Sequence, residues 1–208
     1  MEASLIHQYF PALSAHQLAL YQKHKELLLE WNTKINLISR KDTDSFEINH
    51  QLHSLAICKV ISFEPGTRIL DVGCGGGFPG IPLAIFYPEC EFTLVDSIGK
   101  KILVVNDLIE QLGLKNVQAL NVRCESLKTK YDFVCNRAVA PVDDLLRWTQ
   151  KLIHQTHKNK LPNGILCLKG GDLKEELKKH KKYSVVYPIK EFFKEEFFDT
   201  KSVVYIQV

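Results

Sequence analysis

The spacing of apolar positions changes along this chain. Up to about residue 60 they recur at helical spacing. Leu20, Leu27 and Trp31 share one face of a helix that Ser14 and Gln17 open with a capping-box pattern. Ile48, Leu52, Leu55 and Ala56 mark a second helix, which the segment FEPG (63–66) stops. Beyond it, short apolar runs alternate with helical patterns. RILDVG, EFTLVDS, VQALN, YDFVCNRA and GILCLKG read as five strands, and helices are expected over 79–87, 100–112, 141–153 and 172–180. This alternation predicts a parallel sheet covered by helices on both faces. Residues 183–187 and 202–208 carry Val, Tyr and Ile with no long helix between them, so an antiparallel pair at the sheet edge is expected. The expected fold is α/β, a mostly parallel seven-stranded sheet with an antiparallel C-terminal edge. Residues 1–62 form a helical extension and 63–208 a single compact unit.

Composition narrows the class. In 208 residues, 45% hydrophobic and 25% charged positions fit an ordinary globular chain with a sizeable core. No apolar run approaches the roughly 18–20 residues of a membrane span, and the N-terminus lacks a signal-peptide layout. A cytoplasmic protein with no membrane partner is expected. The six cysteines (Cys58, Cys74, Cys90, Cys124, Cys135, Cys167) contain no C-x-x-C, and the eight histidines show no metal-ligand spacing. Reduced, buried thiols and no metal are expected. The net charge of +3 is small, but Lys100, Lys101 and residues 174–183 concentrate it. A polyanion partner and a solvated helix face both fit such clusters.

The segment DVGCGGGFPG (71–80) holds five glycines in ten residues and follows the first expected strand. A strand, a glycine-rich turn and a helix place bare backbone at the carboxyl edge of a sheet, where open α/β sheets bind ligands. A P-loop is excluded, because Ile81 and Pro82 follow Gly80 where lysine and Ser/Thr are required. Gly75, Gly77 and Gly80 match the dinucleotide pattern G-x-G-x-x-G. Asp71 at the strand's end weighs against it, since a carboxylate is unfavourable beside a pyrophosphate and favourable beside a cation. S-adenosylmethionine carries an ammonium and a sulfonium, and Asp71, Gly73 and Gly75 would supply the acid and the close backbone its amino-acid moiety needs. Asp96, 25 residues later, suits paired ribose hydroxyls in either case. Two hypotheses stand: a methyltransferase, and a NAD- or nucleotide-binding oxidoreductase using the Gly75–Gly77–Gly80 loop.

The order of local motifs resembles the bacterial 16S ribosomal RNA guanine-N7 methyltransferases, the glucose-inhibited division protein B family. WNTKINLIS (31–39), HQLHSL (50–55), DVGCGGGFPGIPLAI (71–85), VDSIGKK (95–101), VRCESL (122–127), NRAVAP (136–141) and LKGG (168–171) carry the resemblance, from about residue 20 to 178. His53 stands where that family usually has an aspartate, and NRAVA varies a commoner Ser-Arg-Ala-Phe-Ala. The resemblance implies a class I S-adenosylmethionine-dependent, Rossmann-like fold, with S-adenosyl-L-methionine as cofactor. It also implies methyl transfer to the 7-nitrogen of one guanosine, position 527 in standard 16S numbering, on 16S rRNA or the small ribosomal subunit. A monomer is expected. That nitrogen keeps a free lone pair at neutral pH, so alignment in a dry pocket replaces a general base.

Candidate roles follow. Donor contacts are expected from Asp71, Gly73, Gly75, Phe78, Asp96, Cys124, Glu125 and Arg137, with Cys124 and Glu125 where the family pattern puts the adenine. Arg137 and Lys169, past the fourth and fifth strands, are the candidate catalytic residues, in the sense of substrate positioning. Arg123, Lys100 and Lys101 are candidate RNA contacts. Cys135 lacks the preceding proline of carbon-methylating RNA enzymes and reads as a strand thiol. Asp172 and Glu175 read as a helix cap, while Trp31 and Asn32 fit either the substrate or the core.

Overall fold

The computed structural model describes residues 4–39, 42–137 and 139–208. Helices α1 (Leu5–Tyr9) and α2 (Ala15–Asn32) precede a π-helical stretch, Glu47–Leu52, that runs into α3 (His53–Leu55) and α4 (Ile57–Val60). Then come β1 (Arg68–Val72), α5 (Gly80–Phe86), β2 (Glu91–Val95), α6 (Gly99–Leu112), β3 (Val117–Leu120) and β4 (Phe133–Arg137). The chain continues through α7 (Val142–Thr149), β5 (Gly164–Gly170), α8 (Lys174–Leu177), β6 (Ser184–Pro188) and β7 (Lys201–Gln207). One seven-stranded sheet has the order β3-β2-β1-β4-β5-β7-β6. Strands β1 to β5 pair in parallel, whereas β7 runs antiparallel to both β5 and β6. The chain moves outward from β1 to β3 and restarts at β4 on the other side of β1. That reversal opens a crevice at the carboxyl ends of β1 and β4.

Period-two alternation divides the strand side chains between two cores. Ile69, Phe92, Leu94, Phe133, Leu166 and Tyr205 join the cluster under α2, α5 and α6. Leu70, Val72, Val95, Val134, Ile165 and Val204 join the cluster under α7. The N-terminal helices belong to the first core through Tyr21, Leu28, Leu52 and Leu55. Polar ties fix their position. The capping box is formed, and the Gln17 amide also donates to the Ile85 and Phe86 carbonyls (2.9 and 3.2 Å) at the end of α5. Trp31 Nε1 donates to Asp107 Oδ2 (2.6 Å) on α6. The tryptophan is therefore a strut of the fold.

Two helices are shorter than their sequence patterns. The one expected over 141–153 ends at Thr149 and tightens into a 3₁₀ turn, Gln150–Leu152. The one expected over 172–180 is a single turn, Lys174–Leu177. Asp172 Oδ1 accepts the Lys174 amide (3.0 Å), as a cap does. After Leu177 the chain offers only Lys178, Lys179, His180, Lys181 and Lys182. With no apolar face to bury and like charges a turn apart, the helix does not continue.

Candidate active site

A cavity of about 470 Å³ opens at the crevice. Its floor is the end of β1 with Gly73, Cys74, Gly75 and Gly76. One side is formed by Asp96, Ser97 and Lys101, and another by Arg123, Cys124 and Glu125. Leu37, Phe78, Arg137, Val139 and Trp148 are also in its lining.

The glycines of 71–80 divide by task. A Cβ on Gly75 would meet nothing within 4 Å, and the residue has φ +57°. Bare backbone there faces open cavity, as close approach of a ligand requires. A Cβ on Gly80 would instead sit 2.7 Å from Asp71 Oδ2 and from Leu94 Cδ1, and one on Gly73 would sit 2.6 Å from Val139 Cγ2. Those two glycines serve internal packing, although Gly73 also lines the cavity. Asp96 holds the loop: Oδ2 accepts the Gly75 amide (3.1 Å) and Oδ1 the Ile98 amide (2.9 Å). The Lys101 ammonium stands 3.7 Å from the same carboxylate. Asp96 lines the cavity, and a carboxylate with acceptor capacity to spare fits ribose hydroxyls.

Asp71 is not where the sequence pattern suggested. It shares the β1 face of Ile69, so its side chain turns under α5 and is fully buried, outside the cavity lining. Its Oδ2 accepts the Gly80 amide (2.8 Å), and Oδ1 has no hydrogen-bond partner. Burial pushes its carboxyl up to about 7, against the pull of the Gly80 amide and the nearby Arg137 charge. Asp71 thus shapes the loop from below and adds a titratable charge near the cavity.

Arg137 leaves β4 half-buried into the cavity. Its Nη1 donates to the Asn49 carbonyl (3.2 Å), and its guanidinium lies 4.6 Å from the centre of the Phe78 ring. Phe78 is itself held by His50 and His24, with ring centres at 5.0 and 5.5 Å. Burial pushes His24, His50 and His53 down to about 3, assisted at His50 and His53 by the Arg137 charge. They stay neutral around Arg137, which itself falls only to about 10 and remains a cation at neutral pH. Cys135 is fully buried with its thiol pushed well up, so it offers no nucleophile.

Other candidate residues are placed differently from expectation. Lys169 does not reach the cavity: its ammonium donates to the Ala140 carbonyl (2.9 Å) and pairs with Glu176 Oε1 (2.6 Å). Glu176 also accepts the Val142 amide (2.8 Å), so this pair ties α7 and α8 to the end of β5. Lys100 is exposed on the first turn of α6 and away from the cavity, whereas Lys101 one residue on lines it. Arg123 is exposed on the rim, beside the buried Cys124. Leu37, Ser97, Val139 and Trp148 were missed by sequence reasoning. Leu37 and Val139 lie inside the quoted motifs, and Trp148 recurs three residues after the buried Leu145. No local pattern brings these four to one cavity. Ala138, within the NRAVAP run, lies outside the described residues.

Among the described residues there is no group of three or more His, Cys, Asp or Glu placed to hold a metal. None of their helices is long and apolar enough to cross a membrane.

Solved structures share the fold. A SAM-dependent methyltransferase from Aquifex aeolicus superposes with TM-score 0.58 and 13% identity, over 82% of this chain and 100% of that one. A variant of MtNAS in complex with S-adenosylmethionine gives TM-score 0.58 and 15% identity, over 92% and 76% of the two chains. The fold is that of the Rossmann-like, S-adenosylmethionine-dependent methyltransferases. The family model described as rRNA small subunit methyltransferase G (GidB) matches residues 17–202. Proteins named ribosomal RNA small subunit methyltransferase G from Christiangramia forsetii and Flavobacterium johnsoniae are 51% and 52% identical to it. These matches cover 99% and 96% of this chain and 97% and 95% of theirs. This chain belongs to the rRNA small subunit methyltransferase G family, and its cofactor is S-adenosyl-L-methionine. The oxidoreductase hypothesis falls with that assignment. The cavity fits the cofactor in size and chemistry: open space over Gly75 takes close backbone approach, Asp96 suits a ribose, and Cys124 and Glu125 line the same cavity.

Proposed function

We propose that the protein methylates the 7-nitrogen of one guanosine in 16S rRNA, at position 527 by the family resemblance, and that it works as a monomer on 16S rRNA or the small ribosomal subunit in the cytoplasm. The observation that carries this reading is the open backbone at Gly75 sharing one cavity with the half-buried Arg137 cation. When bound, S-adenosylmethionine supplies an electrophilic methyl that the guanine nitrogen attacks with its own lone pair, so no proton has to be removed.

The chain's residues then hold and align. Gly73, Gly75 and Asp96 take the amino-acid and ribose parts of the donor, Cys124 and Glu125 the adenine, and Phe78 keeps Arg137 in place. Arg137 is the catalytic residue of this scheme, gripping the target base or its phosphate with a planar cation. Alignment of this kind supplies rate by fixing the reacting atoms in a near-attack geometry. Arg123 on the rim contacts RNA, with the exposed Lys100 as an outlying phosphate contact, while Lys101 acts on the donor side through Asp96. Residues 1–62 serve as a helical extension of the donor-binding unit, 63–208, with Tyr21, Leu28, Leu52 and Leu55 packed into its first core. A site built within one chain supports the monomer.

Incubation with methyl-labelled donor and small-subunit RNA tests the reading. Label is expected in 7-methylguanosine of 16S rRNA. Label in another nucleoside, or NAD binding that competes with the donor in calorimetry, contradicts it.

A further inference from the structure

A second hollow, of about 510 Å³, adjoins the donor cavity and is lined by Asn36, Leu37, Ile38 and Ser39. Leu37 lines both spaces. This segment is held from both ends. Asn32 Oδ1, at the end of α2, accepts the Leu37 and Ile38 amides (2.8 and 3.0 Å). Beyond it, Asp42 Oδ1 accepts from the Asn49 side chain (2.8 Å), and the carbonyl of that same Asn49 holds Arg137. A Cβ on Gly76 would lie 3.6 Å from Leu37 Cβ, so Leu37 rests on the outer side of the glycine loop. The lining alternates in character. Asn36 is exposed and makes no hydrogen bond among the described residues, while Leu37 is half-buried and Ile38 buried.

We infer that residues 36–39 form the acceptor subsite, where the extruded purine nucleoside of the RNA lies against Leu37 and meets the Asn36 carboxamide at its polar edge. This rests on the proposed function, and it assigns the place of the substrate within it. A base that reacts at a ring nitrogen must leave its stack and lie beside the donor. The hollow has the volume of a small-ligand site and offers an apolar wall with a few polar groups, as a nucleoside requires. Its shared wall with the donor cavity, and its tether to the residue that holds Arg137, put it next to the reacting atoms. Asn32 is a positioning residue, acting through the two amides it accepts.

The test separates donor from acceptor. Asn36→Ala, Asn36→Asp, Leu37→Ala, Asn32→Ala and Asn32→Asp proteins are assayed for donor binding by calorimetry and for methyl transfer to small subunits at saturating donor. Asn36→Ala and Leu37→Ala are expected to raise KM for the RNA substrate roughly tenfold, the scale of one lost contact, with donor Kd within about threefold for Asn36→Ala. Asn36→Asp should be worse, since a carboxylate neither donates a hydrogen bond nor tolerates neighbouring phosphates. Asn32→Ala should raise KM similarly, and Asn32→Asp, which keeps the accepting oxygen, should restore most of it. Unchanged KM in Asn36→Ala and Leu37→Ala, or donor Kd rising in step with KM in Asn36→Ala, overturns the inference. If the unaltered protein transfers no methyl to subunits or free rRNA, the proposed function itself fails. If it does and these variants match it, only the acceptor assignment fails.

Discussion

The glycine loop (71–80) and the segment around Leu37 border the same cavity and are built by opposite means. The loop contributes backbone: its amides are fixed by Asp96 and Asp71, and open space lies above Gly75. The facing segment contributes side chains and their tethers, with Asn32 holding Leu37 and the Asn49 carbonyl holding Arg137. A wall made of backbone accepts a ligand only if side chains stay out. A wall made of side chains depends on each of them and on what orients it. Substitutions should therefore fail in different ways on the two sides.

The largest contrast lies within the loop itself. Gly75→Val fills open space and should weaken donor binding by roughly a hundredfold or more, on the scale of overpacking, with a smaller stability loss of about 1–2 kcal/mol from the left-handed backbone. Gly80→Ala pushes a methyl into Asp71 and Leu94 and should cost about 1–3 kcal/mol of stability, with donor affinity retained in the folded fraction. Calorimetry and thermal melts on the two proteins check this. Equal donor loss in both would erase the division between ligand-facing and packing glycines.

Across the cavity, Arg137→Ala should cut methyl transfer to rRNA by roughly a hundredfold, the scale of lost positioning, and leave donor Kd within a few-fold. Arg137→Lys should rescue poorly, because a point charge lacks the guanidinium fork. An Arg137→Ala protein with full activity would remove the facing wall from the chemistry.

Lys169 sharpens the comparison from outside the cavity. Its pairing with Glu176 predicts that Lys169→Met loses about 1–2 kcal/mol of stability, as for a hydrogen bond to a charged group, and keeps its rate per folded molecule. A large loss of rate without loss of melting temperature would return Lys169 to the site.

The buried carboxylate under the loop also predicts a pH dependence. Burial pushes the Asp71 carboxyl from its ordinary value near 3.8 up to about 7, so the native state keeps a proton that the unfolded chain releases. Its contribution to stability is complete below about pH 4 and is lost as pH rises through about 7. Urea melts should show the native protein losing more stability from pH 5 to pH 8 than Asp71→Asn. Equal slopes would contradict the buried placement. Methyl transfer at saturating donor should carry no rise through neutral pH that requires a base.

These contrasts also explain what was legible in the sequence. Strands β1, β2, β4 and β5 were readable because they are buried on both faces and bounded by turn residues. The loop was readable because backbone exposure leaves a glycine signature. Asp71 was misplaced because its position at a strand end drew attention to the crevice, while its alternation with Ile69 pointed under α5. Lys169 misled because a lysine at a strand end looks the same in sequence whether it meets phosphate or Glu176, whose approach depends on the turn before α8. Leu37, Val139 and Trp148 were invisible as a group, since ordinary apolar residues acquire their role only from tertiary placement. The shortened helix after Leu177 was foreseeable from its run of lysines.

The central claim is that this cavity aligns a guanine 7-nitrogen with the donor methyl on small-subunit rRNA. Nucleoside mass spectrometry of 16S rRNA, treated with the protein and isotope-labelled S-adenosylmethionine and cut into mapped fragments, tests it most directly. The account predicts one labelled 7-methylguanosine in a single fragment, absent when Gly75→Val replaces the native protein. Label on an exocyclic amine, on a carbon or on a ribose, or none on any small-subunit substrate, would contradict it.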